Sequence, residues 1–191
     1  MAVEDLRARL VAAGVEMVSR EGSGVLTLRE IARRAGVSHG APRRYFPTHL
    51  ALLSAIARQG FRELAERVAR LLGDGGTPHE RLLALGRAYL EYAATNRGMF
   101  ELMFRHDLLE SNRLGLRETS LPLFDVLVEL VGQARGESGA AVRVAAGAFW
   151  ANLHGLAQLW AWGSLQLATG LDEVDPLLRA AIDAHVGPAP R

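Results

Sequence analysis

TLREIARRAGVSHGAPRRYFPTHLALL, Thr27–Leu53, preceded by Leu26, decides how this chain is read. Thr27 with Glu30 three residues on is a capping box, so a short helix begins there. Leu28, Ile31 and Ala32 recur at helical spacing as its buried stripe, and Arg29, Arg33 and Arg34 lie mostly off it. Gly36 is the residue expected just past a helix C-terminus, where a left-handed backbone suits a residue without a Cβ. Val37 anchors the turn in the core. Ser38 is a good N-cap for a second helix over 39–45, about two turns long and therefore dependent on packing, with Phe46 as its anchor. Pro42 is then the fourth helical residue and removes the first intrahelical hydrogen bond. Pro47 stops this helix, and Thr48 caps a long one starting at His49. Two short helices with Arg43, Arg44 and Tyr45 at the tip of the second are suited to entering a DNA groove and meeting phosphates and guanines.

The charge distribution agrees. Residues 1–60 carry nine Arg against five acids, a net +4, while 61–191 carry 13 Arg against 16 acids, a net −3. The overall +1 conceals this asymmetry, and a basic N-terminal third suits a polyanion. The chain has no Lys, so every basic chain is a guanidinium, a bias that a GC-rich genome also produces.

Beyond this stretch the pattern is helical throughout, with no alternating strand signal. Helices are expected over 3–20, with Leu6, Leu10, Ala13, Gly14 and Met17 inward, then over 49–72, 78–94, 96–105, 112–135, 140–168 and 172–186. GDGGTP at 73–78 is a strong breaker, with Pro78 placed for the first turn of the next helix. The expected fold class is all-α, about nine helices. Residues 1–48 are expected to be a three-helix helix-turn-helix DNA-binding domain, 49–72 a linking helix, 73–186 a second helical domain, and 187–191 a disordered tail. With 191 residues and 49% hydrophobic content the chain can bury a substantial core. It has no cysteine, an N-terminus too acidic for a signal peptide and no apolar run of membrane-spanning length, which together predict a soluble cytoplasmic protein.

The segment from Leu6 to Leu53, with T-x-R-E-I-A-x-x-A-G-V-S followed by F-P-x-x-x-A-L-L, resembles the tetracycline-repressor (TetR) family of one-component transcriptional regulators. RAYLEYAATNRGMFELMF (87–104) looks like the entry to that family's ligand-binding domain, and FWANLHGLAQLW (149–160) is similar to the Trp-His-Gly segment that names its WHG subgroup. The resemblance implies roles by position. Thr27 and Arg29 open the support helix, and Ser38, His39, Gly40, Ala41, Arg43, Arg44 and Tyr45 match the recognition helix. Tyr45 stands where a phosphate-binding histidine is usual, and Arg43, where a tyrosine is typical, is able to read guanine O6 and N7. His49 stands where Lys is common, at a helix N-terminus that favours phosphate. Leu50 replaces an acid for no reason visible in the sequence.

The same resemblance makes 73–186 a ligand-binding and dimerisation domain, and implies a homodimer on a palindromic double-stranded DNA operator, released by a small-molecule effector. Gly147, Ala148, Ala151 and Gly155 are the candidate interface, small residues at near-helical spacing. Tyr92, Phe100, Met103, Phe104, Trp150 and His154 are the candidate pocket, with Phe124 and Trp160 read as core. Trp150 and His154 share a helix face, so an imidazole beside aromatics is placed to orient a polar group on an apolar ligand. No P-loop, dinucleotide fingerprint, HExxH or nucleophile elbow occurs, and the six His show no ligand spacing, so neither an enzyme, a metal site nor a cofactor is expected. The remaining readings are an activator or a ligand-independent DNA binder of the same fold, or, less favoured, an all-α enzyme.

Overall fold

The computed structural model describes residues 2–73 and 75–188, with side chains from Leu6 onward; residues 189–191 of the expected tail lie outside it. Among the described residues there are eleven α-helices and no strand. They are α1 (Ala2–Glu21), α2 (Leu28–Arg34), α3 (Pro42–Tyr45), α4 (His49–Leu72), α5 (Pro78–Thr95), α6 (Arg97–Met103), α7 (His106–Ser111), α8 (Leu116–Arg135), α9 (Ala140–Ala161), α10 (Ser164–Thr169) and α11 (Asp175–Val186).

Two more helices form than expected: α7 lies in the stretch between the expected 96–105 and 112–135 helices, and α10 is split from the expected 140–168. Asn112, Leu114 and Gly115 all have positive φ, and the Asn112 Oδ1 accepts the Arg117 N–H at 2.8 Å, so the chain turns here and α8 starts at Leu116. Gly163, left-handed at φ 76, ends α9 and opens α10. The recognition helix is also shorter than 39–45. The Ala41 N–H closes a turn on the Ser38 carbonyl at 2.9 Å, and helix α3 begins at Pro42. Pro42 is therefore its first residue and not its fourth. At that position the missing N–H has no intrahelical partner to lose, which removes the expected penalty.

By contact the chain forms two units: Met1–Glu63 with Asn96–Ser120, and Leu64–Thr95 with Leu121–Arg191. Their boundaries differ from the expected ones at 48 and 73, because α6, α7 and the start of α8 pack with the N-terminal helices. In the first unit Leu10, Gly14 and Met17 of α1 are buried, and a Cβ at Gly14 would overlap the Ile56 side chain. Gly98 lets α6 meet α1 backbone to backbone, since a Cβ there would sit 2.5 Å from the Val18 carbonyl oxygen and 2.9 Å from the Gly22 Cα. Phe61 and Phe100 each meet Phe104 edge-on, at 5.5 and 4.9 Å between ring centroids.

In the second unit α5, α9 and α11 pack on one another around Leu82, Phe149, Leu153, Leu178 and Ile182. Arg87 grips Asp175 with two bonds of 2.5 and 2.8 Å, and Arg179 adds a third at 3.0 Å. Arg87 first and Arg179 second hold the Asp175 carboxyl below its ordinary pKa, though the cluster is largely exposed and screened.

Candidate nucleic-acid interface

Helix α2 is fixed at both ends by its own sequence. Thr27 Oγ1 accepts the Glu30 N–H at 3.2 Å, the first half of the capping box. The second half does not form, because the Glu30 carboxylate turns to Arg33 and Arg34 instead. At the other end Gly36, at φ 66, lets its own N–H reach the Arg33 carbonyl and the Val37 N–H reach the Ala32 carbonyl, at 3.2 and 3.0 Å. The Arg9 guanidinium of α1 donates to the Ala35 carbonyl at 2.6 Å, placing a cation at the end of α2 where the helix dipole favours one. Sequence spacing offers no sign of Arg9, since the contact joins positions 26 residues apart.

Helix α3 is a single turn, closed by the Phe46 N–H on the Pro42 carbonyl at 2.8 Å. It is held from below: Pro42 and Phe46 are buried, and the Arg7 guanidinium lies 5.4 Å from the Phe46 ring centroid. Helix α4 then starts under Thr48, whose Oγ1 accepts the Ala51 N–H at 3.1 Å. The His49 Nε2–H donates to the Leu26 carbonyl at 2.6 Å, so this ring anchors the loop entering α2 and keeps only Nδ1 for another partner.

Of the ten sequence-chosen positions on this face, Thr27, Arg29, Ser38, His39, Gly40, Arg43, Arg44 and His49 are exposed, and Ala41 and Tyr45 are half-buried. The five arginines nearby separate into two groups. Glu30 binds Arg33 and also Arg34, and Glu21 binds Arg34 again at 2.6 Å. The Arg33 and then the Arg34 guanidinium lower the Glu30 pKa to about 2. Arg29, Arg43 and Arg44 have no acidic partner among the described residues. Arg29 of α2 and Arg43 and Arg44 of α3 are therefore unneutralised where a phosphate or a guanine edge would meet them.

The candidate pocket residues fall in both units. In the first, Phe100 and Met103 are buried and Phe104 half-buried. In the second, Tyr92 is buried with the Arg67 guanidinium 5.4 Å from its ring centroid. Beside it in sequence, Tyr89 forms a polar network that no sequence pattern signals. The Trp150 Nε1–H donates to the Tyr89 oxygen at 3.3 Å, and the Tyr89 hydroxyl and His154 Nδ1 share a hydrogen bond of 2.8 Å. Burial pushes the Tyr89 phenol pKa up, opposed by the Trp150 bond, and burial pushes the His154 imidazole down.

Gly147 and Gly155 have open space where a Cβ would stand, and Ala148 and Ala151 are exposed. They share helix α9 with Val144, Leu159 and Trp162 at its end, which are 73%, 39% and 62% exposed. Among the described residues no group of His, Cys, Asp or Glu could hold a metal ion, and no helix is long and apolar enough to cross a membrane.

Residues 10–56 match the family described as bacterial regulatory proteins, tetR family, and residues 82–185 match the tetracyclin repressor-like C-terminal domain. A solved structure of a protein of unknown function from Rhodococcus sp. RHA1 is 30% identical, at a TM-score of 0.78, covering 94% of this chain and 93% of that one. The HTH-type transcriptional regulator BetI of Stenotrophomonas maltophilia is 38% identical over 80 residues, 41% of each chain. The HTH-type transcriptional repressor KstR of Mycolicibacterium smegmatis is 32% identical over 81 residues, 42% of this chain and 40% of that one. The chain thus spans about two fifths of the length of these two curated relatives. A matched N-terminal family model, a matched C-terminal one over more than half the chain, and a capped helix-turn-helix with unpaired arginines lead to one assignment: this chain belongs to the TetR family of bacterial regulatory proteins.

Proposed function

We propose that the protein is a sequence-specific DNA-binding transcriptional regulator, a repressor released from a palindromic operator by a small, mostly apolar ligand. The observation that carries this reading is the exposed, unneutralised Arg29, Arg43 and Arg44 on two short helices fixed by caps and buried anchors. In this reading Arg43 reads a guanine, while Thr27, Arg44 and Tyr45 bind phosphates. Ser38, His39, Gly40 and Ala41 form the turn that brings α3 to the groove, and His49 holds the loop ahead of α2.

Two copies pair through α9, where Val144, Ala148, Ala151, Gly155, Leu159 and Trp162 recur at intervals of three and four along one face. A stripe with that repeat and this much exposed apolar surface is the pattern of a helix that packs on another. The effector is taken up by the C-terminal helices, where Tyr89, Trp150 and His154 supply a polar network beside aromatic rings. The Trp-His-Gly likeness of 149–160 favours the WHG subgroup for this part. The ligand acts only through its different affinities for the DNA-competent and DNA-incompetent states, and α4, common to both units, carries the change.

A mobility-shift assay with the intergenic DNA beside the protein's own gene tests the regulator reading against an enzyme. A shift that survives excess unrelated DNA and is reversed by small apolar compounds is expected. Binding that competitor DNA abolishes would remove the operator reading, and a specific shift that no compound reverses would favour a ligand-independent DNA binder.

A further inference from the structure

In the first unit, α1 and α4 leave between them a cleft of about 560 Å³, within the range of small-molecule sites. It is separate from the Tyr89–Trp150–His154 network, which belongs to the second unit. Its apolar lining comes from one face of each helix: Val11, Ala12 and Val15 of α1 and Ala55 of α4. Its cationic lining is Arg7, Arg58 and Arg62.

Arg58 faces like charge from both of the other guanidiniums. Burial lowers the Arg58 pKa, Arg62 and Arg7 lower it further, and only Glu118 opposes them. Arg58 is held in place, donating to the Leu114 carbonyl at 2.7 Å and the Thr119 Oγ1 at 3.2 Å. Neither bond brings it a carboxylate. Arg62 and Arg7 have no acidic partner among the described residues. Two acids also line the cleft, but both are engaged: Glu16 pairs with Arg20 at 3.0 Å, and Glu63 accepts from the Gln59 amide at 3.2 Å. Like charges held together at the edge of an apolar cleft repel one another, and a bound counter-charge would relieve that repulsion. Because Glu16 and Glu63 remain close by, one negative charge suits the cleft better than several.

From this juxtaposition we propose that the α1–α4 cleft is a binding site for a small amphipathic carboxylate, its apolar body on Val11, Ala12, Val15 and Ala55 and its head on Arg62 and Arg58. An Arg fork matches a carboxylate with paired hydrogen bonds, so the head is bound by geometry as well as charge. A ligand there spans α1 and α4, two helices of the unit that carries the DNA-facing arginines.

Isothermal titration of the intact protein with octanoate, in the absence of DNA, tests the site independently of the DNA-binding reading. Octanol serves as the uncharged control. Saturable binding of octanoate, with octanol much weaker, is expected. Arg62→Ala should weaken octanoate about tenfold or more without moving the thermal midpoint, since Arg62 is exposed. Ala12→Phe, which fills the cleft, should abolish it. No octanoate binding, equal binding of octanol, or octanoate binding unchanged in both variants would overturn the proposal. A change of oligomeric state in Ala12→Phe would overturn it too, by showing that a second copy occupies the cleft.

Discussion

Arg33 and Arg43 are the same residue type in the same motif, yet Glu30 occupies the first and leaves the second to another partner. Arg43→Ala should cost ~1–3 kcal/mol of operator affinity and relax preference at one base pair per half-site, measured by binding to a set of operator variants. Unchanged affinity with unchanged preference would defeat the base-reading role. Glu30 makes a pH prediction. Its folded pKa of about 2 lies below the ordinary 4.5, so the stability it contributes is present above pH 4.5. That contribution is lost as pH falls from 4.5 towards 2. A carboxyl NMR titration of Glu30 should show its midpoint near 2, and a midpoint near 4.5 would dissolve the Arg33–Arg34 clamp. At this scale the sequence reveals which side chains are basic but not which are already paired. Tyr89 shows the same limit: its partner His154 is 65 residues away, and no local pattern joins them.

At the scale of the helices, local rules were legible wherever one residue decides. Thr27 opens α2, Gly36 closes it in a left-handed turn, and Thr48 starts an α4 that runs over the expected 49–72. They failed where two signals compete. Ser38 looks like an N-cap, but Pro42 fits a first helical position better, and the chain follows Pro42. The expected helix over 140–168 hid a break because Gly163 reads as a tolerable interior residue until the backbone shows it left-handed, and the expected start at 112 fell at a left-handed Asn112 that closes α7 instead. The approach of α6 to α1 was equally hidden, since it depends on Gly98. Gly98→Ala should destabilise the protein by ~1–3 kcal/mol in denaturant unfolding, because the atoms it meets are backbone and have no rotamer to give way. A variant as stable as the parent would mean that the α1–α6 contact is looser than described.

For the whole molecule, an all-α fold of the TetR family was readable from the 27–53 motif and the helical period. The packing of 96–120 with the N-terminal helices was not, because which apolar stripes meet across the chain leaves no local mark. Dimerisation belongs to this scale. Ala151→Glu places a charge in the exposed α9 stripe and should convert the proposed dimer to monomer in sedimentation, weakening operator binding because two linked heads become one. A variant that stays dimeric would move the interface elsewhere. The most direct test of the central claim, that the α2–α3 face reads an operator, is a nuclease footprint of the intact protein on the neighbouring intergenic DNA. Two symmetric half-sites are predicted, about one helical turn or a multiple apart, with protection over their guanines weakened in Arg43→Ala. Uniform protection with no preferred site, the same for parent and variant, would contradict it.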